Sequence, residues 1–177
     1  FGARWSGIAA GDLNSDGMVD LIISGEQFSL GNTRVYLNNG TGFAYNTTWS
    51  APFANSQVRY ASLALGNFNG NNILDLFLMG EVVIPNSVLS QVYIGGLNTF
   101  TGPFGGTGVI GMKEGGVVLG DVDTDGKIDV VQFGDNNTAL NHRVYINKIT
   151  SFQANDSWFV DLAPMQDGSS VLTDIDG

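Results

Sequence analysis

The sequence predicts an all-β fold built from repeated four-stranded units, and three observations support this. Short apolar runs rich in Val, Ile, Leu and aromatic residues are bounded by clusters of Gly, Asn and Asp, without the 3.6-residue period of an amphipathic helix. The 25 glycines suit many tight turns. Similar segments also recur about every 54 residues, which indicates a repeat architecture.

Two landmarks mark the repeat and stay in register. The first is a Gly-Asp-x-Asn-like segment, which begins at Gly11, Gly66 and Gly120, with a fourth copy at Thr173. The second is a Val-Tyr pair 24 to 26 residues later, at Val35, Val92 and Val144. Together they predict repeats over residues 5–58, 59–113 and 114–166, and the start of a fourth over 167–177.

Each repeat contains four predicted strands. They cover residues 6–10, 20–24, 34–38 and 43–48; then 61–65, 74–79, 91–94 and 99–104; then 116–119, 128–133, 143–147 and 157–160. Four strands per repeat of this length are typical of a β-propeller blade, whereas a sandwich has no reason to repeat and solenoid coils are shorter. Residues 1–177 are therefore predicted to form one partial propeller of about three antiparallel blades.

Composition limits the possible partners. The 17 acidic and 7 basic residues give a formal charge of -10, which disfavours nucleic acid and anionic membrane surfaces and favours cations. The absence of cysteine excludes disulfides, thiolate nucleophiles and sulfur-ligated metals. No apolar run approaches the length of a membrane-spanning helix. Because the chain begins with Phe1 and no signal pattern, we expect a fragment of a larger protein.

Two segments have the spacing of a calcium loop, with oxygen ligands at positions 1, 3, 5 and 9 and glycine at position 6. Calcium prefers six to eight oxygen ligands, and the glycine allows the left-handed backbone of a tight turn. The backbone carbonyl at position 7 should add a further ligand. The predicted ligands are Asp12, Asn14, Asp16, Met18 and Asp20 in the first loop and Asp121, Asp123, Asp125, Lys127 and Asp129 in the third.

These loops differ from an EF-hand, which has flanking helices and a glutamate at position 12. Position 12 is Ile23 in the first loop and Gln132 in the third, both within predicted strands. The loop of the second repeat has a single carboxylate, and Asn72 replaces the glycine; since Asn tolerates left-handed backbone, we expect its shape to persist with little or no calcium. The weaker candidate ligands are Asn67, Asn69, Asn71 and Asp75, with Asp174 and Asp176 in the fourth copy.

These loops, the strands after them and the Val-Tyr-Ile/Leu strand resemble the FG-GAP/VCBS repeat, which occurs in integrin α subunits and in many secreted or surface proteins. The resemblance extends over nearly the whole chain. It implies a larger propeller, usually of seven blades, in which the cation loop joins the first two strands on the face opposite the main ligand surface. The Phe-Gly and Gly-Ala-Pro signatures of the repeat are poorly kept, with Ala51-Pro52-Phe53 and Gly102-Pro103-Phe104 as echoes.

Other residue types recur at fixed repeat positions. The cations Arg4, Arg59 and Lys113 are expected to neutralise nearby aspartates, with a ligand face as the alternative. The tyrosines Tyr36, Tyr93 and Tyr145 are expected to pack between blades. The only histidine, His142, is assigned to a solvated loop. Asn-x-Ser/Thr sequons, which would carry glycans in a eukaryotic glycoprotein, occur at Asn39, Asn46, Asn136 and Asn155.

The predicted function is that of a calcium-stabilised repeat protein without catalytic residues, in cell adhesion, assembly or protein interaction. About two calcium ions are expected, at an extracellular, cell-surface or secretory-lumen location where calcium is millimolar. A protein ligand would contact the loops near residues 25–33, 80–90 and 134–141, and neighbouring blades or subunits would cover the open edges. The alternatives are a glycan-binding propeller and a non-catalytic accessory domain of a larger secreted enzyme.

Overall fold

The computed structural model of the chain describes residues 2–102, 108–159, 163 and 165–168. It contains three four-stranded antiparallel sheets, in each of which the strands follow one another in chain order. The first sheet consists of β1 (Arg4–Gly11), β2 (Asp20–Gln27), β3 (Leu30–Asn38) and β4 (Phe43–Asn46). The second consists of β5 (Val58–Gly66), β6 (Asp75–Val82), β7 (Ser87–Gly95) and β8 (Phe100–Thr101). The third consists of β9 (Lys113–Gly120), β10 (Asp129–Asp135), β11 (Leu140–Asn147) and β12 (Phe152–Ala154).

The three sheets have the arrangement predicted for successive propeller blades, called here blades 1, 2 and 3. The first strands β1, β5 and β9 pack side by side from blade to blade, so they are the innermost strands. Blades 1, 2 and 3 begin at Arg4, Val58 and Lys113, each one residue ahead of the repeat bound predicted from the sequence. The all-β prediction is thereby confirmed.

The hydrophobic core lies between blades rather than inside any one of them. One cluster joins Ile22 and Val35 of blade 1 to Leu76 and Leu78 of blade 2. A second joins the intervening residues of β6 to blade 3, and its members include Phe77, Met79, Val92, Val117, Val130 and Tyr145. Alternate side chains of a strand point to opposite faces, so β6 is buried on both sides. This explains why its sequence is a continuous apolar run instead of an alternating one.

One predicted strand in blade 1 is too long. The strand predicted to reach Thr48 stops at Asn46, because the Asn46 side chain accepts a hydrogen bond from the Trp49 backbone N–H and starts the short helix α1 (Thr47–Ser50). Trp49 is thereby buried against Phe100 of blade 2, with ring centroids 5.3 Å apart. A 3₁₀ turn over Ala51–Phe53 continues the connection to blade 2.

The last predicted strand, Ser157–Val160, is also wrong. The outer strand of blade 3 is Phe152–Ala154, and Asp156–Phe159 forms a 3₁₀ turn. The Phe152 ring is buried edge-on to Phe68 of blade 2, so this aromatic residue, and not the more apolar segment after it, completes the sheet. Of the second blade's predicted strand 99–104, only Phe100–Thr101 is paired, and residues 103–107 and Val160 lie outside the described residues.

Candidate metal-binding loops

The three candidate loops occupy the same place in each blade, between the first and second strands. Each has two residues in left-handed backbone, at positions 4 and 6. They are Ser15 and Gly17 in the first loop, Gly70 and Asn72 in the second, and Thr124 and Gly126 in the third. The expectation that Asn72 would adopt this geometry is confirmed. Position 4 was not predicted from the sequence to be left-handed, and the second loop has its glycine there.

In the first loop, the candidate ligands also shape the backbone. The Asp16 N–H donates to Asp12 Oδ1 and to Asn14 Oδ1, both at 3.1 Å. The Gly17 N–H donates to Asp12 Oδ2 at 2.8 Å. The third loop repeats this network, with Asp125 N–H bonded to Asp121 and Asp123, and Gly126 N–H bonded to Asp121 Oδ2 at 2.8 Å. Both loops therefore hold their side-chain oxygens on the inside of a tight turn.

The second loop keeps part of this network with amides in place of carboxylates. The Asn71 N–H donates to Asn67 Oδ1 at 3.1 Å and to Asn69 Oδ1 at 3.0 Å. Asn67 has one acceptor oxygen where Asp12 and Asp121 have two, and its oxygen also accepts the Gly70 N–H at 2.9 Å. The second loop therefore has the shape of the other two with less negative charge.

The aspartate at position 9 has the same two partners in every blade. Asp20 Oδ2 accepts the Leu13 N–H at 3.0 Å, and Asp20 Oδ1 accepts the Asn38 N–H, at the end of the third strand, at 2.8 Å. Asp75 and Asp129 make the equivalent pairs of bonds, and all three side chains are fully buried. This residue ties the loop to the third strand. Burial raises the pKa of Asp75, against the backbone hydrogen bonds from Gly95 and Phe68.

Three carboxylates converge in the third loop. Ligand oxygens of Asp121, Asp123 and Asp129 all lie within 4.8 Å of one another, the one such acidic group in the part of the chain that the structure describes. They hold positions 1, 3 and 9, which in the first loop are Asp12, Asn14 and Asp20. A convergent set of hard oxygen donors fits calcium better than a soft metal.

The aspartate at position 5 of the first and third loops contacts side chains of its own loop. Asp125 forms an ion pair with Lys127 Nζ, which lowers the pKa of Asp125 and raises that of Lys127. Asp16 instead accepts a hydrogen bond from Asn14 Nδ2 at 2.9 Å. The third loop therefore carries a cationic side chain that the first loop, with Met18 at position 7, lacks.

The repeated cations have different partners from those predicted. Arg59 donates to Glu26 of blade 1 at 3.3 Å and to Glu81 of its own blade at 2.9 Å, while Lys113 of blade 3 reaches Glu81 at 3.0 Å. Arg4 binds Glu26 through Nε at 2.9 Å. The expectation that these cations neutralise aspartates of the loops is wrong, because the glutamates end the second strand, at the far end of the blade.

Hydrogen bonds from Arg4, supported by Arg59, lower the pKa of Glu26 in spite of its burial. Burial raises the pKa of Glu81, but hydrogen bonds from Arg59 and Lys113 outweigh this, and its net pKa is lowered. Both glutamates are nearly inaccessible. The sequence signal that could have revealed them is a Gly-Glu pair repeated 55 residues apart, at Gly25-Glu26 and Gly80-Glu81.

The remaining candidates are distributed through the sheets. Tyr93 and Tyr145 are buried, with Tyr93 edge-on to Phe53 at 4.7 Å, whereas Tyr36 packs beside Tyr45 within blade 1. The assignment of His142 to a loop is wrong, since it lies within β11 opposite Phe133. Asp174 and Asp176 lie outside the described residues. The helices among the described residues are all too short to span a lipid bilayer.

Comparisons with known proteins agree with this arrangement. The family model of the FG-GAP-like repeat matches residues 12–78, from the first candidate loop into β6. A search of curated proteins returned no match for the chain. The third loop lies beyond the matched residues and has the same hydrogen-bond network as the first. The chain thus carries an FG-GAP-like repeat, as its resemblance to that family implied.

Proposed function

We propose that this chain is a calcium-stabilised propeller segment that serves as an interaction module and has no catalytic role of its own. The observation that carries the proposal is the convergence of Asp121, Asp123 and Asp129 in a loop whose backbone recurs at residues 12–20. FG-GAP-like repeats generally belong to non-catalytic interaction modules, which agrees with this role.

Calcium would act here by offsetting repulsion between acidic side chains. Asp121, Asp123 and Asp125 lie in an exposed or half-exposed turn, and the whole chain has a formal charge of -10. An ion that binds the folded loop and not the unfolded chain adds its binding free energy to folding stability. Such exposed loops suit sites that fill at millimolar calcium, so we place the protein outside cells, at the cell surface or in the secretory lumen.

The surface proposed to meet a protein partner lies at the opposite end of the blades. Because the strands are antiparallel, the turns after β2, β6 and β10 lie away from the metal loops. The first two of these turns carry exposed apolar side chains, Phe28 at 91% and Ile84 at 77% relative accessibility, and Leu140 borders the third. Exposed apolar groups grouped on one side of a protein mark interaction surfaces.

Calorimetric titration with calcium tests the metal part of the proposal. Asp121→Asn combined with Asp123→Asn should remove about one bound ion, because it removes two of the three converging carboxylates. Asp135→Asn is the charge control, since this residue ends β10, at the other end of blade 3. Equal stoichiometry in all three proteins would contradict the assignment of the third loop.

The interaction part is tested by replacing Phe28 and Ile84 with Ser and measuring binding to a partner isolated with the unmodified chain. Loss of binding is expected, while Phe43→Ser, which removes another exposed ring from the outer strand of blade 1, should leave it intact. Retained binding in the first variant would place the partner surface elsewhere.

A further inference from the structure

Two turns of the chain hold an asparagine side chain in the same way. Asn39 begins the turn between β3 and β4 of blade 1, and Asn136 begins the turn between β10 and β11 of blade 3. Asn39 Oδ1 accepts the Thr41 N–H at 3.0 Å, the Thr41 hydroxyl at 2.8 Å and the Gly42 N–H at 3.0 Å. Three donors therefore converge on one side-chain carbonyl oxygen.

Asn136 has the same three kinds of donor. Its Oδ1 accepts the Thr138 N–H at 3.0 Å, the Thr138 hydroxyl at 2.6 Å and the Ala139 N–H at 2.9 Å. The residues after the two asparagines, Gly40 and Asn137, both have left-handed backbone, with φ of 82° and 69°. The two turns therefore match in conformation and differ in the residue that follows the asparagine.

The residue after an asparagine decides how easily the main chain can react with the side chain. Its backbone nitrogen can attack the asparagine Cγ, and glycine hinders this attack least because it has no Cβ. An asparagine that accepts the N–H two residues on is curled like a backbone turn, which brings its Cγ near that nitrogen. The Asn39-Gly40 pair meets both conditions, and both residues are exposed to water.

The residue before the asparagine also differs between the two turns. The Gly40 N–H donates to the amide oxygen of Asn38 at 2.9 Å, whereas the Asn137 N–H donates to the carboxylate of Asp135 at 2.7 Å. A negatively charged acceptor opposes loss of the N–H proton more strongly than a neutral amide does. The nitrogen of Gly40 is therefore the better nucleophile of the two.

The other Asn-Gly pair in the sequence is Asn69-Gly70, in the second candidate loop. Asn69 is half-buried, and among the described residues its Oδ1 accepts one N–H, that of Asn71 at 3.0 Å. This pair has the same glycine but fewer donors on the carbonyl oxygen than Asn39.

We propose that Asn39 is a site of spontaneous deamidation, promoted by its own turn. A base in the solvent removes the Gly40 N–H proton, and the nitrogen forms a bond to Asn39 Cγ. The Thr41 and Gly42 donors stabilise the negative charge that develops on Oδ1. The bond from Cγ to Nδ2 then breaks, ammonia leaves with the proton that the base returns, and a cyclic succinimide remains. Water opens the ring to aspartate or isoaspartate, so the net reaction consumes one water and releases one ammonia.

The product carries a new negative charge beside the first candidate loop. The Asn38 N–H donates to Asp20 Oδ1 at 2.8 Å, and a Cβ on Gly40 would lie 3.7 Å from the sulfur of Met18. Isoaspartate also adds one carbon to the main chain of this turn. Deamidation of Asn39 requires neither calcium nor the partner surface described above.

Peptide mapping by mass spectrometry tests the proposal on the folded chain, produced in bacteria so that Asn39 carries no glycan and incubated at mildly alkaline pH. Asn39 should deamidate at least about 5-fold faster than Asn69, because three donors stabilise its oxyanion. It should exceed Asn136 by at least about 10-fold, because glycine follows it. A rate at Asn69 equal to or above that at Asn39 would overturn the proposal, since the Asn-Gly pair alone would then set the rate.

The role of the turn is tested by Thr41→Val, which keeps the backbone N–H and the side-chain shape but removes the hydroxyl donor. Deamidation of Asn39 should slow by about 3-fold or more. Thr138→Val, the same change in the other turn, is the matched control and should leave the Asn39 rate unchanged. An unchanged Asn39 rate in a folded Thr41→Val variant, as judged by circular dichroism, would overturn the promotion by the turn.

The reciprocal variant transfers the site to blade 3. Asn137→Gly combined with Asp135→Asn gives the second turn the neighbours of Asn39, and Asn136 should then deamidate within about 3-fold of the Asn39 rate. Unfolding the unmodified chain in urea should slow deamidation of Asn39, because it disperses the three donors. A slow Asn136 in the folded double variant, or faster deamidation of Asn39 after unfolding, would contradict the proposal.

Discussion

Acidic side chains are stabilised by different partners at the two ends of each blade. At the loop end, Asp12 and Asp121 are bonded by backbone N–H groups within a few residues of chain. At the other end, Glu26 and Glu81 are buried and are held by cations from two blades each. The loops can therefore form within one blade, whereas each glutamate gains its second cation only when neighbouring blades are assembled.

The largest effect is expected at position 9. Asp75→Ala should destabilise the fold by about 2–5 kcal/mol, because it leaves the buried Phe68 and Gly95 N–H groups without their acceptor. Asn71→Ala, in the exposed part of the same loop, should cost less than about 1 kcal/mol. Urea unfolding in the presence of a chelator measures both, and equal losses would mean that the buried carboxylate is not what holds the loop.

At the opposite end, Glu81→Gln should cost about 1–3 kcal/mol, since it leaves Arg59 and Lys113 without their shared charge. These cations are partly exposed, which keeps the loss below that for a fully buried pair. Glu114→Gln removes the same charge from β9, and should be nearly neutral because Glu114 itself forms no ion pair among the described residues. The variants are compared by urea unfolding, and a neutral Glu81→Gln would show that the inter-blade ion pairs do not stabilise the fold.

Acid should weaken the ion pairs that Glu26 and Glu81 form between blades. Glu26 and Glu81 have folded-state pKa values below the usual 4.5, so their stabilisation is complete above that value and is lost as the pH falls through the lowered pKa. Asp75 has the opposite sign, because its raised pKa favours folding at low pH and is a cost once the pH exceeds the raised value. The double variant Glu26→Gln and Glu81→Gln should flatten the loss of unfolding free energy as the pH falls below about 4.5.

Substitutions that give the second loop the ligands of the third should allow it to bind calcium. Asn67→Asp, Asn69→Asp and Asn72→Gly together supply the glycine of the third loop and, with Asp75, its three converging carboxylates. At calcium ten times the dissociation constant, a new site would add about 1.4 kcal/mol of stability. Calorimetry should show one more bound ion than in the unmodified chain, and an unchanged count would mean that ligand charge does not distinguish the loops.

The smallest effect is expected from Lys127→Met, which gives the third loop the residue that the first has at position 7. Losing the ion pair with Asp125 should raise calcium affinity by less than about fivefold, because solvent-exposed ion pairs are weak. Competition with a calcium dye measures this, with Lys148→Met as the charge control. A weaker third site would mean that Lys127 orders the loop rather than competing with the ion.

Features within one repeat were predictable from the sequence, and contacts between blades were not. The loop positions, the left-handed Asn72 and the strand order follow from contacts within one repeat. The partners of Arg59 required knowledge of which blade faces which, because Glu26 is 33 residues away. The last strand was misplaced for a similar reason, since Phe152 is fixed by a ring of blade 2 and not by its own neighbours.

Calcium calorimetry of the unmodified chain, paired with a thermal melt in chelator, tests whether calcium stabilises the fold. We expect about two bound ions, at the first and third loops, and a lower melting temperature in chelator than in calcium. No bound calcium and identical melts would contradict it, and the loops would then be turns held by their own side chains alone.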